Sequence, residues 1–533
     1  MNLIDALIQQ KVTFFCLSPG NRSTPLALAL AENPLAKTFV HYDERGAAFH
    51  ALGYAKATKK PAAIVVTSGT AVGNLMPAVM EADAAHIPLI LLTCDRPPNL
   101  RDTMANQTTD QTKIFGNFVR YFFDLPSDAS FISSTAARAV SASQYPLPGP
   151  VQLNCPFAEP FSEQTPSSEV STPIEWTFPE ITLKDPKPIA DQLQQIEKGV
   201  IVVGANGGTT HLKALSQKLG WPILPDIVSS YRHLADERTI PYYPHALKAH
   251  SHLKADAVLY FGDACVSKTL LKWMSLQHPL IHVATHAKRC DPFHAVTKRI
   301  VCSPEQFCKQ VTPLIDQKQQ EWFCAWKEWS EHSAPKIETK TLSEPAVTKV
   351  IQQFAGEGTA LFFGNSMPIR DAEEFFFPET PCGPIFANRG LSGIDGNIAT
   401  IAGIAQVMPV VAAIGDQTAL HDLNSLSQLS KTKHPVKLVI INNGGGGIFS
   451  FASHVKRLDI LDSHFAAAHT LTFEKAAELF RIPYEKIEKI DQLLERLHSR
   501  ESCIMEVTTD RRENFAQHQE IDKRACSSFS MAF

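Results

Sequence analysis

A chain of 533 residues is long enough for about three domains at roughly 150 residues each. With 44% hydrophobic and 20% charged residues it has the composition of an ordinary globular protein. A formal net charge of −4 excludes a general basic surface for nucleic acid. No apolar run approaches the ~20 residues that a membrane span needs. The opening stretch MNLIDALIQQ lacks the basic start and apolar core of a signal peptide. The cysteines show no Cys-x-x-Cys, and the closest group, Cys290, Cys302 and Cys308, lacks metal-ligand spacing, so reduced thiols in a cytoplasmic protein are expected.

In chain order, residues 1–165 alternate strand and helix signals. Strands are expected at 14–17, 39–41, 61–67, 88–93 and 151–154, with a helical stretch over 70–85. Residues 159–185 are dense in Pro, Ser, Thr and Glu and read as a linker. A second α/β block, 186–335, carries strands at 199–204, 257–262 and 279–283 and an amphipathic helix over 317–333. Residues 334–344 form a second linker. The third block, 345–533, has strands at 359–364, 410–414 and 436–441 and ends in a charge-rich helical tail. The expected class is α/β: parallel sheets flanked by helices, with strand-end sites in the outer two blocks.

The third block is the most informative. Gly415-Asp416 ends one apolar run and Asn442-Asn443 ends the next, with a helical pattern over 418–431 between them. Such a right-handed βαβ unit puts Asp416 and Asn443 at the carboxyl ends of two parallel strands, the edge where open α/β sheets bind ligands. A carboxylate, a carboxamide and the backbone of Gly444 to Gly447 offer hard oxygens for Mg²⁺. Gly-Asp and Asn-Asn-Gly are also common loop chemistry, so the pair needs support from elsewhere.

Support comes from other strand ends. Glu44, in HYDERG, opens a helix after a short strand, where a carboxylate complements the helix dipole or serves as a general acid/base. Thr67-Ser68-Gly69-Thr70 ends another strand without the Gly-x-Ser-x-Gly of a hydrolase, which leaves a phosphate or substrate turn. The turn at 18–25 contributes Asn21 and Arg22, Asp95-Arg96-Pro97-Pro98 contributes Arg96, and two loops contribute Ser366, Arg370 and Arg389. Together with Arg289 these arginines are too many for one small monoanion and fit two acidic substrates, since guanidinium groups grip carboxylates in bidentate fashion.

The stretches SPGNRSTP, HYDERG, TSGTAVGNL, LLTCDRPPNL with ANQ following, NCPFAEP, GNSMPIRD, ANRGLSGIDG, GDQTALHDLNSL and NNGGGGIFS run in order from residue 18 to 450. In them the chain resembles the 2-succinyl-5-enolpyruvyl-6-hydroxy-3-cyclohexene-1-carboxylate synthases of menaquinone biosynthesis, and DRPP, NCPFAEP and NRGxSGIDG are specific to that family. The resemblance implies a three-domain thiamine-diphosphate enzyme fold: a pyrimidine-binding domain over 1–165, a central domain over 186–335 and a diphosphate-binding domain over 345–533. It implies thiamine diphosphate with Mg²⁺, or Mn²⁺ in its place, and a homodimer or homotetramer whose cofactor lies between subunits. The implied reaction decarboxylates 2-oxoglutarate and adds the succinyl carbanion to isochorismate in a Stetter-like 1,4-addition, a transferase activity.

By motif position, Glu44 looks like the glutamate that activates the cofactor at its aminopyrimidine N1′. Asp416, Asn443 and the carbonyl of Gly445 look like the metal ligands, Ile394 like the apolar wedge that bends the cofactor, and Thr70, Gln417 and Ile448 like further cofactor contacts. Asn21, Arg22, Arg96, Gln107, Arg289, Ser366, Arg370 and Arg389 map onto substrate positions, with Arg22, Gln107, Arg370 and Arg389 also taken as catalytic; Arg289 rests only on the short stretch at 288–292. Two departures stand out: Asn21 replaces the usual serine, and Gly444 replaces a polar residue, adding a few tenths to ~1 kcal/mol of loop flexibility. The alternatives are another thiamine-diphosphate decarboxylase or carboligase of the acetolactate-synthase kind, which needs fewer cations, a non-catalytic paralogue, and a nucleotide-binding module prompted by Gly204 to Gly208, which is not Gly-x-Gly-x-x-Gly.

Overall fold

The computed structural model describes residues 3–126, 131–161, 173–250, 253–451 and 460–530. Part of the linker expected at 159–185 therefore lies outside the described residues. Three parallel sheets follow one another along the chain. The first contains β1 (Phe14–Ser18), β2 (Lys37–Val40), β3 (Ala62–Val66), β4 (Leu89–Asp95), β5 (Tyr121–Asp124) and β6 (Pro150–Pro156), in the order β2-β1-β3-β4-β6-β5. The second contains β7 (Gly199–Val203), β8 (Ile223–Pro225), β9 (Ala257–Phe261), β10 (Leu280–Ala284) and β11 (Lys298–Val301), in the order β11-β10-β9-β7-β8. The third contains β12 (Ala360–Phe363), β13 (Ile385–Phe386), β14 (Val410–Gly415), β15 (Val436–Asn442), β16 (Tyr484–Ile487) and β17 (Cys503–Thr508), in the order β13-β12-β14-β15-β17-β16.

Counted from its own first strand, the third sheet has the same order as the first, so the two outer domains share one topology. Central strands such as β3, β4, β7 and β15 are buried along their whole length, because helices cover both faces of a parallel sheet. That is why Ala-Ala-Ile-Val-Val and Gly-Val-Ile-Val-Val read as continuous apolar runs rather than alternating ones. In both outer sheets the strand order reverses beside the first strand, between β1 and β3 and between β12 and β14. Loops leave such a switch point in opposite directions and open a crevice at the carboxyl edge.

Several elements differ from the sequence reading. The helix expected over 70–85 is two helices, Thr70–Gly73 and Met76–Ala84, because Pro77 belongs in the first turn of a new helix. The crossover over 418–431 is likewise broken into Asp416–His421, a tight turn at Leu423–Ser425 and Leu426–Leu429. There the Asp422 carboxylate accepts from Ala399 N at 3.0 Å and Ser425 Oγ at 2.7 Å, which diverts the chain from a continuous helix. Glu344, counted into a linker, instead starts the helix Glu344–Phe354, with Ser343 as N-cap and Pro345 in the first turn.

The domains are joined by buried polar contacts. Arg232 of the central domain pairs with Glu373 of the helix Met367–Phe375 at 2.7 Å. Lys56 of the first domain donates to Ala387 O at 2.6 Å and Asn388 Oδ1 at 2.9 Å in the third. His86 lies 3.3 Å from Asp263, linking the first domain to the central one.

Candidate active site

The register of β14 with β15 pairs Gly415 with Ile441, so Asp416 and Asn443 leave adjacent parallel strands at the same edge. Asp416 is buried, and its carboxylate accepts from Gln417 N at 2.6 Å and Gly445 N at 2.9 Å. Burial pushes its pKa up while these backbone donors pull it down. His469 Nε2 lies 3.4 Å from Asp416 Oδ2 without making a hydrogen bond. Asn443 donates Nδ2 to Glu344 Oε1 at 2.9 Å, which leaves its buried Oδ1 with no partner.

Gly445 sits at φ 144°, and a Cβ there would stand 2.5 Å from Ala466 O, so the close loop approach admits only glycine. Its carbonyl accepts Gly447 N at 3.0 Å, and a second lone pair remains. Three hard oxygens, one of them an orphaned buried amide oxygen, thus belong to the ends of two adjacent strands and the loop after them, and as donors this set fits an Mg²⁺ or Mn²⁺ ion. Gln417 Nε2 donates to Ala466 O at 2.5 Å, and Ile448 follows half-buried in the turn Gly447–Phe451. Arg511, which sequence reasoning passed over, donates to Asn443 O at 3.2 Å and Gly444 O at 2.9 Å and closes the loop from the other side.

Glu44 opens the helix Glu44–Thr58 and is half-buried. Its Oε2 accepts from Asn74 Nδ2 at 3.1 Å, and Asn74 in turn caps the helix that Thr70 begins. Glu44 and Thr70 therefore share one edge of the first domain. Ile394, half-buried, stands in the third domain between Gly393 and Asp395, which line a cleft of about 460 Å³ with Phe49, Met76 and Met80. Glu81 holds that loop by accepting Gly390 N at 2.9 Å and Leu391 N at 2.7 Å.

The arginines sort into two groups. In the first domain Arg22 and Arg96 are both buried, and Arg96 has its pKa lowered by burial and then by the Arg22 charge. Arg22 donates to Phe157 O at 2.7 Å and Glu159 Oε1 at 3.0 Å, both in the NCPFAEP stretch. Arg96 donates to Ser68 Oγ, which donates to Gln107 O at 2.8 Å, and Gln107 Nε2 returns to Ser68 O at 3.1 Å. Asn21 is exposed on the same turn as Arg22.

In the third domain Arg370 has its pKa lowered by burial and then by Arg389, whose own is lowered by burial against the pull of Asp226 and Glu81. Arg370 donates to Ser366 O, and Arg389 to Asn365 Oδ1 at 3.0 Å. Neither Arg370 nor Arg389 makes a salt bridge among the described residues, so both guanidinium groups keep donors for an anion. Arg289, by contrast, is exposed on the loop after β10 and belongs to neither pair.

Comparisons with known proteins agree with this layout. Residues 2–114 match the thiamine pyrophosphate enzyme N-terminal TPP binding domain, 181–363 the middle domain, and 374–503 the C-terminal TPP binding domain. The chain is 39% identical to the 2-succinyl-5-enolpyruvyl-6-hydroxy-3-cyclohexene-1-carboxylate synthase of Rubrobacter xylanophilus, covering 97% of this chain and 96% of that protein. It is 35% identical to the synthase of the same name from Salinibacter ruber, covering 98% and 95%. Its fold matches the crystal structure of benzoylformate decarboxylase from Polynucleobacter necessarius with a TM-score of 0.77 at 16% identity, over 96% and 98% of the two chains. The chain belongs to the 2-succinyl-5-enolpyruvyl-6-hydroxy-3-cyclohexene-1-carboxylate synthase family of thiamine-diphosphate enzymes.

Proposed function

We propose that the chain decarboxylates 2-oxoglutarate and joins the remaining succinyl unit to isochorismate. The observation that carries this reading is two arginine pairs in strand-end loops, Arg22 with Arg96, buried in the first domain, and Arg370 with Arg389, half-buried in the third, in each of which burial, and then the charge of one guanidinium, lowers the pKa of the other. 2-Oxoglutarate and isochorismate carry two carboxylates each and call for two such grips, whereas the pyruvate of an acetolactate-type enzyme carries one carboxylate and needs fewer cations. Full-length similarity to proteins named for the synthase supports it.

Asp416, Asn443 Oδ1 and the Gly445 carbonyl would hold Mg²⁺, or Mn²⁺ in its place, and the glycine loop would take the diphosphate. Thiamine diphosphate, when bound, supplies the electron sink for loss of carbon dioxide from a 2-oxo acid. Glu44 would hold the proton shared with the aminopyrimidine N1′, acting as the general acid/base. Ile394 would press the cofactor into its bent form, with Thr70, Gln417 and Ile448 completing the pocket. Arg22, Arg96 and Gln107, with Asn21 beside them, would bind one carboxylate-bearing substrate and Arg370, Arg389 and Ser366 the other; Arg289 would reach the site only from its rim.

Glu44 and Asp416 lie in different domains, and exposed apolar side chains flank the site: Tyr42 at 62%, Met104 at 101% and Leu391 at 52% exposure. Apolar groups so placed favour coverage by a second copy, giving a homodimer or homotetramer with shared sites. Among the described residues no helix is long and apolar enough to cross a membrane, in keeping with a cytoplasmic enzyme. The test is to follow isochorismate absorbance with Mg²⁺, thiamine diphosphate and 2-oxoglutarate, omitting each in turn. Consumption that needs every component supports the reading. Carbon dioxide release from pyruvate alone, with isochorismate untouched, overturns the substrates.

A further inference from the structure

We infer that Glu344 is a positioning residue for Asn443, fixing which end of its carboxamide faces the metal position. The inference rests on the reading of Asn443 as a metal ligand. A carboxamide has two ends of nearly equal size, and only one of them can bind a cation. Packing does not choose between them; hydrogen bonds do.

Asn443 Nδ2 donates to Glu344 Oε1 at 2.9 Å, which leaves Oδ1 as the free end of the amide, buried and unpaired. Thr509 Oγ1 donates to the same Oε1 at 3.1 Å, whereas Oε2 has no partner. Both donors therefore meet one oxygen. If the carboxyl takes up a proton, the unpartnered Oε2 carries it and Oε1 remains an acceptor, so the orientation of Asn443 does not depend on the charge of Glu344. A flipped amide would set its oxygen against Oε1 and leave a buried N–H₂ facing the cation, two penalties at once.

The acceptor is itself held rigidly. Glu344 is 1% exposed, in the first turn of its helix, where Ser343 Oγ accepts Ala346 N at 3.3 Å. Asn442 pairs with Thr508 across β15 and β17, so Asn443 and Thr509 leave neighbouring strands side by side. A carboxyl group this deeply buried, with two donors and an empty oxygen, is an expensive way to fill a core. Orienting a ligand is a reason to keep it, and partners of ligand side chains typically govern metal affinity by 10–100-fold.

The test is Mn²⁺ binding to the full-length apoprotein with thiamine diphosphate present, read by electron paramagnetic resonance, with Tm of the metal-free form recorded alongside. Glu344→Leu is expected to weaken Mn²⁺ binding 10–100-fold. Glu344→Gln, whose amide oxygen can replace Oε1, is expected to stay within about threefold of wild type, because it preserves the acceptor. If the leucine variant does not fold, Glu344→Met, with nearly the length of glutamate, gives the same reading. Wild-type affinity in the apolar variant, or equal losses in the apolar and glutamine variants, would overturn the inference. Asp416→Ala separates the two levels: affinity unchanged there sinks the ligand assignment itself and the inference with it, whereas loss there with none at Glu344 sinks only the positioning role.

Discussion

Gly445 N donates to Asp416 Oδ2 at 2.9 Å, tying the end of β14 to the glycine loop that follows β15. One side chain thus shapes the loop and offers it a charge. Asp416→Ala is expected to weaken Mg²⁺-dependent binding of thiamine diphosphate by on the order of 100-fold or more, since even indirect partners of ligands cost 10–100-fold. Calorimetric titration of the cofactor with and without Mg²⁺ measures it, and unchanged affinity would remove Asp416 from the metal site.

Glu44 makes a different prediction because its partner is Asn74, far from that loop in sequence. Glu44→Gln keeps the shape and the hydrogen bond to Asn74 but cannot exchange a proton. Cofactor affinity should hold within a fewfold while turnover falls about 10²- to 10⁴-fold, the range for loss of a general acid/base. Retained turnover would exclude Glu44 from the proton transfer.

The two arginine pairs should act on different substrates. Arg96→Ala and Arg389→Ala should each raise one KM much more than the other, by about ten- to a hundredfold for a lost charge-assisted hydrogen bond of about 1.5–3 kcal/mol. Measuring both KM values in each variant decides it. Equal effects on both substrates in both variants would mean that the pairs do not divide the work.

Stability should depend on Arg232. Its guanidinium, 1% exposed, meets a Glu373 carboxylate that also accepts from Tyr243 and from Ile227 N at 2.8 Å. Arg232→Met would leave that carboxylate buried beside the central domain without its cation, at about 3–5 kcal/mol. Chemical denaturation should show the loss, and a cost below about 1 kcal/mol would mean the pair is worth no more than an exposed one.

His518, on the long helix Arg511–Ser530, faces acceptors through both ring nitrogens: Asn514 O at 2.9 Å and Asp371 Oδ1 at 2.9 Å. Both nitrogens must donate, so the ring is an imidazolium. Burial alone would lower its pKa, but the charge and hydrogen bond of Asp371, with Glu374 and Asn514 assisting, raise it from 6.5 to about 9. A raised folded value contributes stability that is complete below about pH 6.5 and disappears as pH climbs through about 9. Tm should fall across that window, and His518→Gln should flatten the fall; an unflattened curve would assign it to another group.

The placement of Asp416 and Asn443 was legible because it is local. A strand, a crossover and a strand place Asp416 and Asn443 at one edge whatever the rest of the chain does, and both followed from spacing alone. The sorting of Arg22 with Arg96 and of Arg370 with Arg389 was not legible, because each pair is assembled from separate strand-end loops. Glu344 was hidden for the same reason: Ser343 and Pro345 signal a helix start, but only the fold brings that start against Asn443. The short strands β5, β8, β11, β13 and β16 escaped notice because they are brief, several of them half-exposed at sheet edges, and lack long apolar runs. The buried β17 was submerged in a tail read as helical.

The most direct measurement is the stoichiometry of the joined reaction. 2-Oxoglutarate labelled in its 1-carboxylate is incubated with the holoenzyme and isochorismate, and released carbon dioxide is counted against isochorismate consumed, with the product identified by mass. The account predicts one carbon dioxide for each isochorismate and a product carrying the four-carbon succinyl unit. Sustained release without isochorismate loss, or a product lacking that unit, would contradict it.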